Sequence, residues 1–148
     1  MQVEPFVREA IAASIAADPG RCAEALKAMA ADGDEVVGDS VQLALAICYL
    51  ALLDLHDGRP DGEALGELAR SFVAMNSWAE FREDVVLRFL TALANGTPVD
   101  DEVPAEQSTR LVFVLAGWLL AAFPPEEREW TDFLDEILDR LESAPAQP

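Results

Sequence analysis

Two apolar runs constrain this chain more than anything else in it: "LALAICYLALL", Leu43 to Leu53, and "LVFVLAGWLLAAF", Leu111 to Phe123. The longer run has thirteen residues, which as helix rise about 20 Å, short of the roughly 30 Å of a bilayer's hydrocarbon layer. Neither run has a Lys or Arg cluster on one side to set a membrane orientation. Both are therefore expected to be helices that are apolar all round because other helices enclose them, and no membrane is expected as a partner.

Turn chemistry divides the rest of the sequence. "ADPG" (Ala17 to Gly20), "ADGD" (Ala31 to Asp34), "HDGRPDG" (His56 to Gly62), "NGTPVDDEVP" (Asn95 to Pro104) and "FPP" (Phe123 to Pro125) are the breakers. Between them, alanine, leucine, glutamate and arginine recur at helical spacing, and β-branched alternation is missing. The expected helices span 4–17, 21–31, 38–56, 61–75, 78–94, 104–122 and 125–143. Asp39 with Gln42 resembles a capping box opening the third helix, and Asn95-Gly96 should stop the fifth. Most of these helices are amphipathic. In the fifth, Trp78, Phe81, Val85, Phe89 and Leu93 share a stripe; in the seventh, Trp130, Phe133, Leu134, Ile137, Leu138 and Leu141 do. The pattern predicts an all-α fold: a compact bundle of about six to seven helices in which 38–56 and 104–122 are fully buried central rods. One domain should cover 1–143, and the "SAPAQP" end, 144–148, should be a frayed tail.

Charge limits the partners. Acidic residues number 28 against 10 basic ones, for a formal net charge of −18. Such an excess repels phosphate, so nucleic acid and anionic lipid are not expected to bind. The opening "MQVEPFVREA" has neither the basic nor the apolar region of a secretion signal, so the expected location is the cytoplasm. Cys22 and Cys48 sit among apolar neighbours and read as free core thiols. Richness in alanine and arginine beside a single lysine fits a GC-rich bacterial genome.

Catalytic residue types are scarce. The chain has one histidine, His56, which with Asp54 and Asp57 forms the candidate metal site. A helix-end histidine followed by the acids that start the next helix explains the same residues. The segment from Asp57 fails as a calcium loop, with Arg59 at its third position and Leu68 at its twelfth. "GDS" at Gly38 to Ser40 lacks a preceding strand, and no phosphate-cradling glycine loop or G-x-S-x-G occurs. No metal, cofactor or catalytic residue is expected.

The expected function is that of a non-catalytic helical protein acting through protein–protein contacts, with self-association through 125–143 as one route. An enzyme centred on the His56 loop is the remotest reading, and two alternatives stand closer. One is an acidic inhibitor or immunity-type protein, or a nucleic-acid mimic, that occupies a basic partner. The other is a small-molecule-binding bundle, with the tryptophans lining a pocket between the fifth, sixth and seventh helices. For a basic partner the contact candidates are Asp100, Asp101 and Glu102 on the long linker and Asp132, Asp135 and Asp139 on the last helix. On that helix Arg140 is expected to pair with Glu136, one turn earlier.

Overall fold

The computed structural model describes residues 3–56, 58–99, 103–122 and 129–143. The fold is 85% helical, and no strand occurs among the described residues. In chain order the helices are α1 (Glu4–Ile15), α2 (Pro19–Asp32), α3 (Asp34–His56), α4 (Gly62–Met75), α5 (Glu83–Asn95), α6 (Ala105–Ala122) and α7 (Trp130–Ser143), with a 3-10 turn at Ser77–Ala79. The all-α bundle of six to seven helices is the observed architecture.

Local chemistry sets the helix ends. The Asp18 carboxylate accepts from the Arg21 N–H at 3.1 Å and opens α2; Asp61 does the same for α4 through the Ala64 N–H at 2.8 Å. Pro5 and Pro19 occupy first turns, where a missing N–H costs nothing. Gly96, at φ 70°, closes α5 as its sequence suggested.

Three boundaries differ from expectation. α3 begins at Asp34, directly after Gly33 at φ 123°, so Asp39 and Gln42 lie inside the helix and form no capping box. The glycine that breaks the chain is Gly33; Gly38 is carried within the helix. The expected single helix 78–94 is interrupted, because Glu80 takes a left-handed conformation at φ 58°. Trp78 therefore belongs to the 3-10 turn and Phe81 to the link before α5. Glu129 is not helical and α7 starts at Trp130, while 125–128 lie outside the described residues.

α6 is the rod around which the bundle forms. From Leu111 to Leu120 every side chain that has one is buried, as expected for this run. α1, α3 and α7 pack on it, and Phe72 of α4 meets the Trp118 ring edge-on, 5.4 Å between centroids. At its start, the Arg110 guanidinium lies 4.3 Å from the centre of the Phe81 ring and donates to the Ala79 carbonyl at 2.9 Å. That contact fastens the 3-10 turn to α6. Around the rod, Glu9 and Arg21 join α1 to α2 at 2.7 Å, and Arg8 bonds both Glu4 and Asp135, joining α1 to α7.

α3 behaves differently from α6. It packs on α6, α2, α1, α7 and α5, burying Ser40, Leu43, Ala44, Ile47, Cys48, Ala51 and Leu52. Its opposite side stays outside: Leu45, Ala46, Leu50 and Leu53 are half-buried and Tyr49 is 37% exposed. The expectation of full burial holds over Leu111–Leu120 of α6, is corrected at its ends, where Glu106, Gln107, Arg110, Ala121 and Ala122 are exposed, and is corrected for α3. It is the one helix among the described residues that is long and apolar enough to cross a membrane by length and composition, and 39% of its most apolar window is buried within the bundle.

Two expected outcomes test this packing. Leu115 is wholly buried, so Leu115→Ala should cost about 2–5 kcal/mol in a denaturant titration, through the lost transfer energy and the cavity left behind. The second is a contrast between two helical glycines. A Cβ on Gly38 would meet nothing within 4 Å, whereas one on Gly117 would lie 3.1 Å from Ile15 Cγ1 and 3.3 Å from the Ile11 carbonyl oxygen. Gly38→Ala should raise stability by about 0.5–1 kcal/mol. Gly117→Ala should lower it, because α1 must back away from α6.

Candidate functional site: a groove along the outer face of α3

A helix repeats its faces every three to four residues, so Gln42, Leu45, Ala46 and Tyr49 form one rail of α3. Asp39 and Glu35 continue that side towards the N-terminus and Leu53 towards the C-terminus. A second wall comes from the end of α5. There the left-handed Gly96 turns the chain: its N–H donates to the Leu93 carbonyl at 3.2 Å and the Thr97 N–H to the Ala92 carbonyl at 3.0 Å. The Thr97 hydroxyl also donates to Ala92 O, at 3.3 Å. Pro98 fixes the next step, and Val99 is buried, with its carbonyl accepting from the Val103 N–H at 3.0 Å. Between these walls runs an open groove of about 530 Å³ lined by Gln42, Leu45, Ala46, Tyr49, Leu93, Gly96, Thr97, Pro98 and Val99.

Among the described residues, its lining contains no carboxylate, histidine, cysteine or lysine. The polar groups it offers are the Gln42 amide, the Tyr49 phenol and Thr97. Such a surface can desolvate an apolar group and orient it with a few hydrogen bonds.

The sequence-based candidates lie elsewhere. His56 is the last residue of α3, its Nδ1 3.1 Å from the Leu52 carbonyl oxygen. Asp54 is taken up by Arg140 of α7, 2.7 Å away, and Asp57 lies outside the described residues. Among the described residues no three His, Cys, Asp or Glu side chains converge as a metal site would need. The thiols are poor nucleophiles: burial pushes both Cys22 and Cys48 above the ordinary range. Cys48 donates to the Val112 carbonyl in the α3–α6 interface.

The acidic candidates divide. Asp100, Asp101 and Glu102 lie outside the described residues, although Val99 on one side of them lines the groove. Asp132, Asp135 and Asp139 are exposed on α7. Asp135 is bonded to Arg8, so the outer side of α7 is less negative than its sequence alone implies. Arg140 reaches across to Asp54 on α3, where pairing with Glu136 had been expected. The apolar stripe of α7 is spent within the molecule, since Phe133, Leu134, Ile137 and Leu138 are all buried. Trp118 packs on Phe72 between α6 and α4.

No family model matches this chain, and neither the curated proteins nor the solved structures contain a match to it.

Sequence reasoning missed the groove residues. Leu45, Ala46 and Tyr49 were read as core because α3 lacks a polar face. No local signal separates them, since they lie in the same apolar run as the buried Ile47 and Leu52.

The helix-end reading of His56 has a direct test. His56→Ala should change unfolding free energy by less than about 1 kcal/mol. A chelator should leave the melting temperature in place; a drop of many degrees reversed by one metal ion would establish a metal site there.

Proposed function

We propose that this is a non-catalytic helical protein that works through protein–protein contact, and that the contact surface is the groove along α3. The observation that supports this reading is the uncharged stretch of the outer face of α3 beyond Asp39. Over about 16 Å, from Gln42 to Leu53, that face presents Gln42, Leu45, Ala46, Tyr49 and Leu53 to the surface, in a chain where 28 of 148 residues are acidic. Solubility favours charge on every outer helical face, so an outward strip without it indicates a face that is covered in use.

Other features agree with a binding role. Tyrosine beside aliphatic side chains is characteristic of protein contacts, because a rigid ring with a polar tip loses little entropy on binding. The groove is open along its length, which suits a polypeptide segment better than a small ligand that must be enclosed. With its apolar stripe committed to α3 and α6, α7 offers little for the self-association expected of 125–143. The cytoplasm is our reading for its location.

Placing a photo-crosslinking phenylalanine analogue at Tyr49 in the full chain, in its native cells, should trap a discrete heavier adduct. The same group at Lys27, an exposed position on α2, should trap none. An adduct absent at Tyr49, or equally strong at both positions, would end this reading. An adduct of twice the chain's own mass would identify self-association.

A further inference from the structure

The walls of the groove have a charge character that its lining does not. From Ala28 to Gly58, which includes all of α3, the sequence has no Lys or Arg; from Phe89 to Thr109, which includes the second wall, it has none either. Those stretches do contain acids. Glu35 and Asp39 are exposed on the same side of α3 as Gln42, about two turns and one turn before it respectively. Asp100, Asp101 and Glu102 follow Val99 in the chain. One cation is held nearby: Arg59 donates to the Asn95 side-chain oxygen at the end of α5. Asn95 directly precedes Gly96 of the second wall.

An apolar floor flanked by acids calls for an occupant with an apolar face and basic flanks. A second copy of this chain meets neither need. It would bring another net charge of −18 and another copy of Glu35 and Asp39, and a two-fold contact would set one concave groove against another. Anionic lipid is repelled by the same acids. A convex helix supplies what is missing, since side chains at i, i+3, i+4 and i+7 can lie between the α3 rail and the 96–99 wall.

Resting on the contact reading above, we infer that the groove receives the apolar face of a basic amphipathic helix from a partner protein. The lysines or arginines of that helix lie towards Glu35 and Asp39. The apolar floor fixes the register and holds the segment; the acids speed its arrival and reject acidic competitors.

The probe is a synthetic leucine–lysine peptide of about 18 residues with leucines at helical spacing. Two controls accompany it: the same composition scrambled so that no face forms, and the same leucine face with glutamate replacing lysine. Titrated into the full-length protein by calorimetry, the leucine–lysine helix should bind at least about ten-fold more tightly than either control. Its affinity should fall as salt rises from low to physiological.

Ala46→Glu and Tyr49→Glu separate docking from bulk attraction, because each makes the protein more acidic while spoiling the floor. Binding of the leucine–lysine helix should weaken about ten-fold in both variants. Glu35→Gln with Asp39→Asn should weaken it less and flatten its salt dependence. Circular dichroism checks that each variant is folded.

Equal binding of the scrambled peptide, or tighter binding to Ala46→Glu, would show charge attraction alone and overturn the inference. Equal binding of the glutamate helix would overturn the basic-partner assignment while leaving the groove as a contact surface. No binding by any peptide would overturn it as well, whereas failure of the contact reading shows independently as the missing Tyr49 crosslink. A dimer in light scattering that Ala46→Glu dissolves would assign the groove to a second copy.

Discussion

The close approach of α1 to α6 at Gly117 is the constraint on which the rest of the bundle depends. Without a side chain there, the Ile11 carbonyl and Ile15 come within the distance a Cβ would occupy. That approach lets α6 be enclosed along Leu111 to Leu120. Once α1 holds one side of the rod, α3 and α7 take others, and Phe72 of α4 reaches it through Trp118. A glycine in mid-helix lowers helix propensity by about 1 kcal/mol relative to alanine. The packing it permits offsets that cost.

Enclosing one rod leaves the other partly uncovered. α6 has 18 residues and α3 has 23, and the short helices around them cannot close both. What shields α3 on its open side is the end of α5 and the turn through Gly96 to Val99, and the groove is the space between. The candidate site is thus a consequence of packing rods of unequal length with few neighbours. Its described lining residues carry no charge in a chain with 28 acidic residues, which is why we read it as a contact.

Much of the fold was legible in the sequence because helical periodicity and breakers are local signals. The all-α class, the enclosed α6 and the stop at Gly96 follow from such signals. The misplaced boundaries share one physical cause: a local pattern that tertiary context overrode. Asp39 and Gln42 have the spacing of a cap, yet Gly33 breaks the chain nearly two turns earlier and the helix runs through them. Trp78 and Phe81 fit the stripe of α5, yet Glu80 turns the backbone so that Phe81 stacks under Arg110. The site was hidden for a related reason. An apolar residue in a helix looks the same whether it faces the core or a partner, so Leu45 and Tyr49 were indistinguishable from Ile47 and Leu52. Charges misled similarly: Asp135 and Asp54 seemed free until Arg8 and Arg140 were seen to reach them across the fold.

The central claim is that α3 is a rod with one buried and one open side. Cysteine accessibility measures this most directly. Ala46→Cys and Ala44→Cys place a thiol on opposite sides of α3, one half-buried at the groove and the other fully buried. With the protein dilute enough to be monomeric by light scattering, maleimide labelling located by mass spectrometry should modify Cys at 46 readily. Cys at 44 should react only on the timescale of unfolding. Equal protection at both positions would mean that α3 is enclosed on all sides, and both the groove and the contact surface proposed for it would be contradicted.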